Sequence, residues 1–242
     1  MVAKKKTAKR QSPKANRTST PKVASPGNQY LERFELDGLR EQDFVGPEVG
    51  TRGRLLLEAV KLFGSRGYDA CSVRELATAV GLGAPAIYNH YGSKQDVLVT
   101  AIDYILSFFF YTVVGNLPST EPRARLFEII RRHAVWTAAR QSMSRASDAL
   151  LTPEFMKRAL PDSHRRRFSK AIEVYISILR ELLDEVAGTD PEVDSLQRAY
   201  AVHELADRAG WWYDPDGRLG PDDVGKQTCV LAARMIGVSS HK

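Results

Sequence analysis

The sequence predicts an all-α protein, a small N-terminal three-helix unit followed by a larger helical bundle. Three observations carry this reading. Every stretch after Gly50 places its apolar residues at helical spacing. No stretch alternates apolar and polar residues as a strand does, and no hairpin dipeptide stands in a strand context. Capped starts and glycine stops recur at helix-length intervals.

The elements follow in order. Residues 1–29 are mostly Lys, Ser, Thr, Pro and Ala with little to bury, the composition of a disordered tail. In residues 30–48, Tyr30, Leu31, Phe34, Leu36 and Leu39 fit one short amphipathic helix, and Gly46, Pro47 and Gly50 mark a break. Residues 1–48 are thus a basic tail and linker. A first helix is expected from Thr51 to Arg66, with Leu56, Val60 and Phe63 on one face and Gly67 as its stop. Ser72-Val73-Arg74-Glu75 is a capping box that opens a second helix ending near Val80. A third is short, Ala84 to His90. Ser93 caps a long fourth that runs to about Gly115. Beyond it come helices at Glu121 to about Arg140, Pro153 to Leu160, Asp162 to Ala187, Asp190 to Tyr213, and Asp222 to about Ile236. Residues 49–97 form the first domain and 98–240 the second.

The 242 residues suffice for a core, and 43% hydrophobic with 26% charged is the balance of a globular chain. Cys71 and Cys229 stand far apart, with neither a disulfide framework nor metal-ligand spacing, which fits a reducing, cytoplasmic setting. The basic N-terminus lacks the apolar stretch of a signal peptide. The longest apolar run, Tyr104 to Val114, is shorter than the ~18 residues of a membrane span, so no membrane role is expected. The net charge of +6 misleads. Lys4, Lys5, Lys6, Lys9, Arg10, Lys14, Arg17 and Lys22 stand in residues 1–29 with no acid, which leaves residues 30–242 at −2. Nucleic-acid binding by the folded part must therefore rest on geometry rather than bulk charge.

That geometry is present in Ser72–Tyr91. Two short helices flank a tight turn holding Gly81, which can take the positive φ such a turn demands. Ala77 is small enough for the helices to cross closely, and Leu76, Val80 and Ile87 can lock the pair to Phe63. The second helix is too short to fold alone and is held as a presented element. Such a helix fits a major groove, its N-terminal residues toward bases and its flanks toward phosphates.

The stretch from Leu56 to Leu98 resembles the DNA-binding domain of the TetR family of bacterial regulators. The resemblance rests on Phe63, Gly67, Val73-Arg74-Glu75-Leu76-Ala77, Gly81-Leu82, Ile87-Tyr88-Asn89-His90-Tyr91 and Ser93-Lys94. It implies an N-terminal helix-turn-helix domain and a C-terminal ligand-binding and dimerisation bundle. Carried over by position, Tyr88, His90 and Lys94 match phosphate-contacting residues. Arg74 matches one that reaches a base or phosphate, and Ala84, Pro85 and Asn89 stand where base edges are read. Arg52 and Ser72 complete the expected DNA-binding set. Asn89 can pair bidentately with adenine. Two departures remove hydroxyls: Gly83 replaces a Ser or Thr cap, and Ala86 replaces a Thr that touches the backbone. Pro85 is tolerated in a first turn, where its missing amide costs nothing.

The implied partners are a double-stranded DNA operator, a second copy of the chain and a small-molecule effector. Val202, Leu205, Trp212, Val230, Leu231 and Met235 could supply a dimer surface or the protomer's own core. On the helix from Glu121, residues Ile129, His133, Trp136 and Arg140 follow one face. With Phe108, Tyr175 and Trp211, the residues His133, Trp136 and Arg140 are the candidate effector site. His203 and Asp207, one turn apart, make too small a set for a metal, and His164-Arg165-Arg166-Arg167 reads first as a solvated face. Gly210-Trp211-Trp212-Tyr213-Asp214-Pro215-Asp216-Gly217-Arg218-Leu219-Gly220-Pro221 resembles a segment of TetR-type regulators of fatty-acid and sterol catabolism. Several of those respond to acyl-CoA, so the resemblance implies a hydrophobic or acyl-CoA-like effector. No cofactor is expected and no enzyme, since no nucleophile–base pair appears and Gly81-Leu82-Gly83 follows no strand. The leading expectation is a repressor released from a palindromic operator, with an effector-independent architectural or cell-division DNA-binding protein of the same fold as the alternative.

Overall fold

Helix α1 (Thr51–Arg66) buries Leu55, Leu56, Ala59, Val60 and Phe63, one stripe of a 3.6-residue period. The computed structural model describes residues 29–34 and 51–239. Its regular elements among the described residues are all helices. The short helix α2 (Val73–Ala79) packs against α1, and α3 (Ala84–Tyr88) packs against α2, with Val73, Leu76, Ala77 and Ile87 buried. These three helices form the head.

Helix α4 (Lys94–Val114) leads from the head into the body. Ser93 caps it, its hydroxyl accepting from the Asp96 N–H at 3.1 Å. The whole helix is long and apolar enough to cross a bilayer, yet 78% of its most apolar window is buried inside the protein. Its sequence is apolar on all sides because helices surround it.

Around it stand α5 (Pro122–Ala139), α6 (Gln141–Leu150), α7 (Pro153–Ala159) and α8 (Asp162–Ala187). Helices α9 (Ser195–Asp207), α10 (Ala209–Trp212) and α11 (Pro221–Met235) close the chain. Helix α5 is central and touches α4, α8, α9 and α11. The buried Asp103 of α4 pairs with Arg167 of α8, tying these helices by charge as well as by packing.

Three features differ from the sequence reading. Helix α6 was not anticipated. Its apolar residues, Met143, Ala146 and Leu150, are too sparse to announce it, and their burial comes from contacts with α1 and α5. The single helix expected over Asp190–Tyr213 is two, α9 and α10, meeting at Arg208. It starts late because the Asp190 carboxylate accepts from the Glu192 and Val193 amides, which holds those residues in a turn. Residues 31–33 form one 3-10 turn. Tyr30 is buried beneath Arg125, Phe34 stacks on Phe110 at 4.1 Å, and Arg33 forms a bidentate pair with Glu181 of α8. The expected disordered tail, and most of the expected helix in 30–48, lie outside the described residues.

Candidate nucleic-acid interface and effector cavity

The head presents its short helix as the spacing requires. Ser72 accepts from the Glu75 N–H at 3.2 Å while the Glu75 carboxylate accepts from the Ser72 N–H at 2.7 Å and its hydroxyl at 2.9 Å. Those bonds hold the Glu75 carboxyl below the usual carboxylate range. Gly81 adopts φ +73°, and Leu82 N–H bonds back to the Ala77 carbonyl at 2.8 Å, closing the turn. Ile87 is 1% exposed and anchors α3 to the head core, whereas Tyr88 on the next position is 55% exposed. Asn89 and His90 are also exposed, as are Pro85, Arg74, Arg52 and Ser72. Ala84 is half-buried at the start of α3.

Gly83 stands at the N-cap of α3 and supplies no side-chain bond, so this helix starts without the usual hydroxyl. Lys94 lies at the first turn of α4, its ammonium 4.3 Å above the Tyr68 ring and 3.5 Å from the Asp69 carbonyl. Tyr68 thus positions a cation beside the presented helix, a role with no signal in the local sequence. The surface of α3 offers a phenol, an amide, an imidazole and a nearby ammonium from one rigid patch. That set can donate to phosphate oxygens and pair with base edges.

The body holds an open cavity of about 380 Å³ lined by α4, α5, α6, α8 and α9 and by Leu151, Thr152 and Pro153. Ile105, Leu106, Phe109, Phe110, Leu151 and Ile172 form its apolar wall. Phe109 stands edge-on to His133, Trp136 and Tyr175 at 4.8, 5.1 and 5.3 Å. Opposite is a polar wall. The Tyr175 hydroxyl lies 3.0 Å from His133 Nδ1, and His133 Nε2 lies 3.4 Å from Asp207. Burial pushes the Tyr175 phenol well up, so it keeps its proton and donates to the imidazole. The His203 ring lies tilted beside His133 at 5.3 Å; burial, then the neighbouring imidazole, pull it down to about 4. Burial alone would raise Asp207, but the bond from His133, with His203 and Arg208 nearby, brings it below the ordinary value. Burial and Asp207 raise Asp148 despite the N–H that Trp211 donates to it at 2.9 Å.

Of the candidate effector residues, His133, Trp136 and Tyr175 line this cavity. Phe108, Arg140 and Trp211 lie outside its lining. Arg140 falls on the break between α5 and α6, where φ −132° ψ 46° ends the helical face that Ile129, His133 and Trp136 share. Its guanidinium sits 5.0 Å over Phe108, and burial lowers its pKa. Trp211 is 53% exposed on the rim, flanked by Arg145 and Arg208. His203 and Asp207 join the polar wall, and no group of three or more metal-ligating side chains occurs among the described residues. Arg165 and Arg167 of the basic run pair with Asp162 and Asp103. The contributions of α6 and α9, Ser144, Ser147, Asp148 and Glu204, were not read from sequence. They converge only in space.

A family model described as bacterial regulatory proteins of the tetR family matches residues 55–101. A second, described as a tetracyclin repressor-like C-terminal domain, matches residues 119–236. The HTH-type transcriptional repressor KstR2 of Mycolicibacterium smegmatis is 27% identical over 210 residues, 83% of this chain and 96% of the relative. The solved structure of the ketosteroid regulator KstR2 of Mycobacterium tuberculosis overlays with a TM-score of 0.65 at 18% identity, covering 80% of this chain and 97% of that one. AibR in complex with isovaleryl coenzyme A and operator DNA gives 0.62 at 21% identity, covering 78% and 97%. At those identities the two structures speak for the fold.

Proposed function

The chain belongs to the TetR family of bacterial regulatory proteins, and from that premise we propose a dimeric repressor that leaves its operator when a hydrophobic ligand such as an acyl-CoA fills the body's cavity. It regulates transcription by binding DNA, in the cytoplasm and at the nucleoid. KstR2 is a repressor by name, and AibR was crystallised with an acyl-CoA and operator DNA.

One observation carries the reading: helix α6 touches both regions. Ser144, Ser147 and Asp148 face the cavity, and Ala146 packs on α1 of the head. A Cβ placed on Gly64 of α1 would overlap Ala146, so this joint has no slack. A ligand that displaces α6 must therefore carry the head with it, changing the spacing of two recognition helices across a dimer. In the head, residues 49–97, Arg52, Ser72, Arg74, Ala84, Pro85, Tyr88, Asn89, His90 and Lys94 form the proposed DNA-facing set. Ser72 acts there through its cap. In residues 98–240, Leu196 and Tyr200 of α9 and Leu231 and Met235 of α11 are each between 41% and 48% exposed, an apolar surface suited to a second copy. Val202 is fully buried within its own protomer and serves that core instead.

A gel-shift assay on the DNA upstream of its own gene, with and without an acyl-CoA panel, tests the proposal. Specific binding lost on adding one acyl-CoA is the expected result. Scattered chromosomal binding insensitive to every metabolite would favour the architectural reading.

A further inference from the structure

Residues 30–34 form a strap across two helices of the body. Phe34 lies flat on Phe110 of α4, with 4.1 Å between ring centres and 22° between planes. Leu31 reaches the end of the same helix, where a Cβ on Gly115 would come within 3.1 Å of its Cδ1. Arg33 closes the other side. Its guanidinium donates to both Glu181 oxygens of α8 at 2.8 Å and to the Ser177 hydroxyl at 2.9 Å. The matches to the family models cover residues 55–101 and 119–236, so the strap stands outside both.

The two clamped helices both line the cavity, α4 through Ile105, Leu106, Phe109 and Phe110, α8 through Ile172 and Tyr175. Phe34 braces Phe110, itself a lining residue. A second tie joins the same helices, the ion pair of Asp103 with Arg167. On α4 the lining residues fall between Asp103 and the strap, and on α8 they fall between Arg167 and the strap. The gap between α4 and α8 is therefore tied at both ends, and a ligand too broad for it must open one tie. The two ties are unequal. The side chains of Asp103 and Arg167 are only 7% and 19% exposed, and parting them would strand charge away from water. Those of Arg33 and Glu181 are 34% and 46% exposed, so water can replace each partner. The strap is the tie that yields.

We infer that residues 30–34 set the girth of ligand that the cavity admits: with the strap closed, the gap takes a slender apolar chain and resists a broader one of the same carbon count. The inference rests on the ligand-responsive reading above and assigns part of its specificity to the strap. A closed strap holds the wall in shape before a slender ligand arrives, and a broad ligand binds only at the cost of the clamp.

The test uses the full chain, with octanoyl-CoA and cyclohexylacetyl-CoA as a slender and a broad probe of equal acyl carbon count. Calorimetry reads both affinities, and the wild-type chain should favour octanoyl-CoA. Phe34→Ala removes the brace and should shrink that preference roughly fivefold to tenfold. Phe34→Leu, which refills part of the space against Phe110, should restore most of it. Glu181→Gln cuts the clamp from the α8 side at an exposed carboxylate and should shrink the preference roughly twofold to threefold. A strap that served stability alone would lower the melting temperature and both affinities together and leave their ratio unchanged. Because linkage is reciprocal, octanoyl-CoA should also slow tryptic cleavage after Arg33, and cyclohexylacetyl-CoA should not. A wild-type chain that binds the broad probe as tightly as the slender one overturns the inference. So does a ratio unmoved by Phe34→Ala, and if that variant does not fold, Glu181→Gln decides in its place. Either result, with operator release by octanoyl-CoA intact, would leave the regulator standing. A wild-type chain that binds neither probe nor any member of the acyl-CoA panel would remove both.

Discussion

The head and the body of this protein use their side chains in opposite ways. The head keeps its interior plain, with Leu56, Val60, Phe63, Leu76 and Ile87, and sets its chemistry outside on Tyr88, Asn89, His90 and Arg74. The body puts its chemistry inside, in His133, Tyr175, His203, Asp207 and Asp148 around a cavity. A surface that meets a polyanion can leave its polar groups solvated until binding, at no cost to folding. A cavity that recognises a small apolar molecule must desolvate its polar groups in advance, and each then needs a partner or a ligand. The difference shows in the groups around the cavity, where Tyr175 and Asp148 are raised and His203 and Asp207 lowered.

The hardest blow to the contrast would come from the head's interior. Phe63→Ala should cost about 3–5 kcal/mol and abolish operator binding, since the head has one small core. If the regions are separable, ligand binding by calorimetry survives it; loss of both would show one cooperative unit. Acid titration probes the body. His203 is neutral when folded, with its pKa lowered to about 4 from an ordinary 6.5. The unfolded chain binds that proton first, so stability is full above about pH 6.5 and falls as pH drops toward 4, by on the order of 3 kcal/mol. His203→Gln should flatten that limb of the melting profile; identical profiles for the two proteins would refute it.

At the joint, Gly64→Val should cost about 1–3 kcal/mol by overpacking against Ala146. It should also change operator affinity without touching any DNA-facing residue. An effect on stability with no change in ligand-induced release would deny α6 its coupling role. The smallest thermodynamic effect belongs to the head's surface. Tyr88→Ala should lower operator affinity roughly tenfold, as for a lost bond to a charged group. Its stability should move by less than about 0.5 kcal/mol because the ring is exposed. A large fall in melting temperature would mean that Tyr88 belongs to the core after all.

Residues 30–34 are fastened to Phe110 and Glu181. Phe110 is 16 residues beyond the start of α4, roughly 24 Å along the axis at 1.5 Å per residue. Residues 30–34 are thus held on the body, next to a residue of the cavity wall, rather than on the head.

Much of the head could be read from the chain alone. Its capping box, its Gly81 turn, its apolar spacing and the Tyr88–Asn89–His90 run are local patterns, complete within about twenty residues, and local sterics and hydrogen bonds decide them. The long helices α4, α5 and α8 were legible for the same reason, because a periodic stripe announces its own burial. Helix α6 and the cavity were not. Ser144, Ser147 and Asp148 of α6 and Glu204 of α9 converge on it from separate helices, and each by itself reads as an ordinary polar residue. His133, Trp136 and Arg140 show the limit of periodicity, since the face they share in sequence stops where the backbone turns at Arg140. What the sequence by itself determined was the head, where function lies on one short segment. Only tertiary packing decided the cavity, because its apolar and polar walls exist solely where residues from distant helices meet.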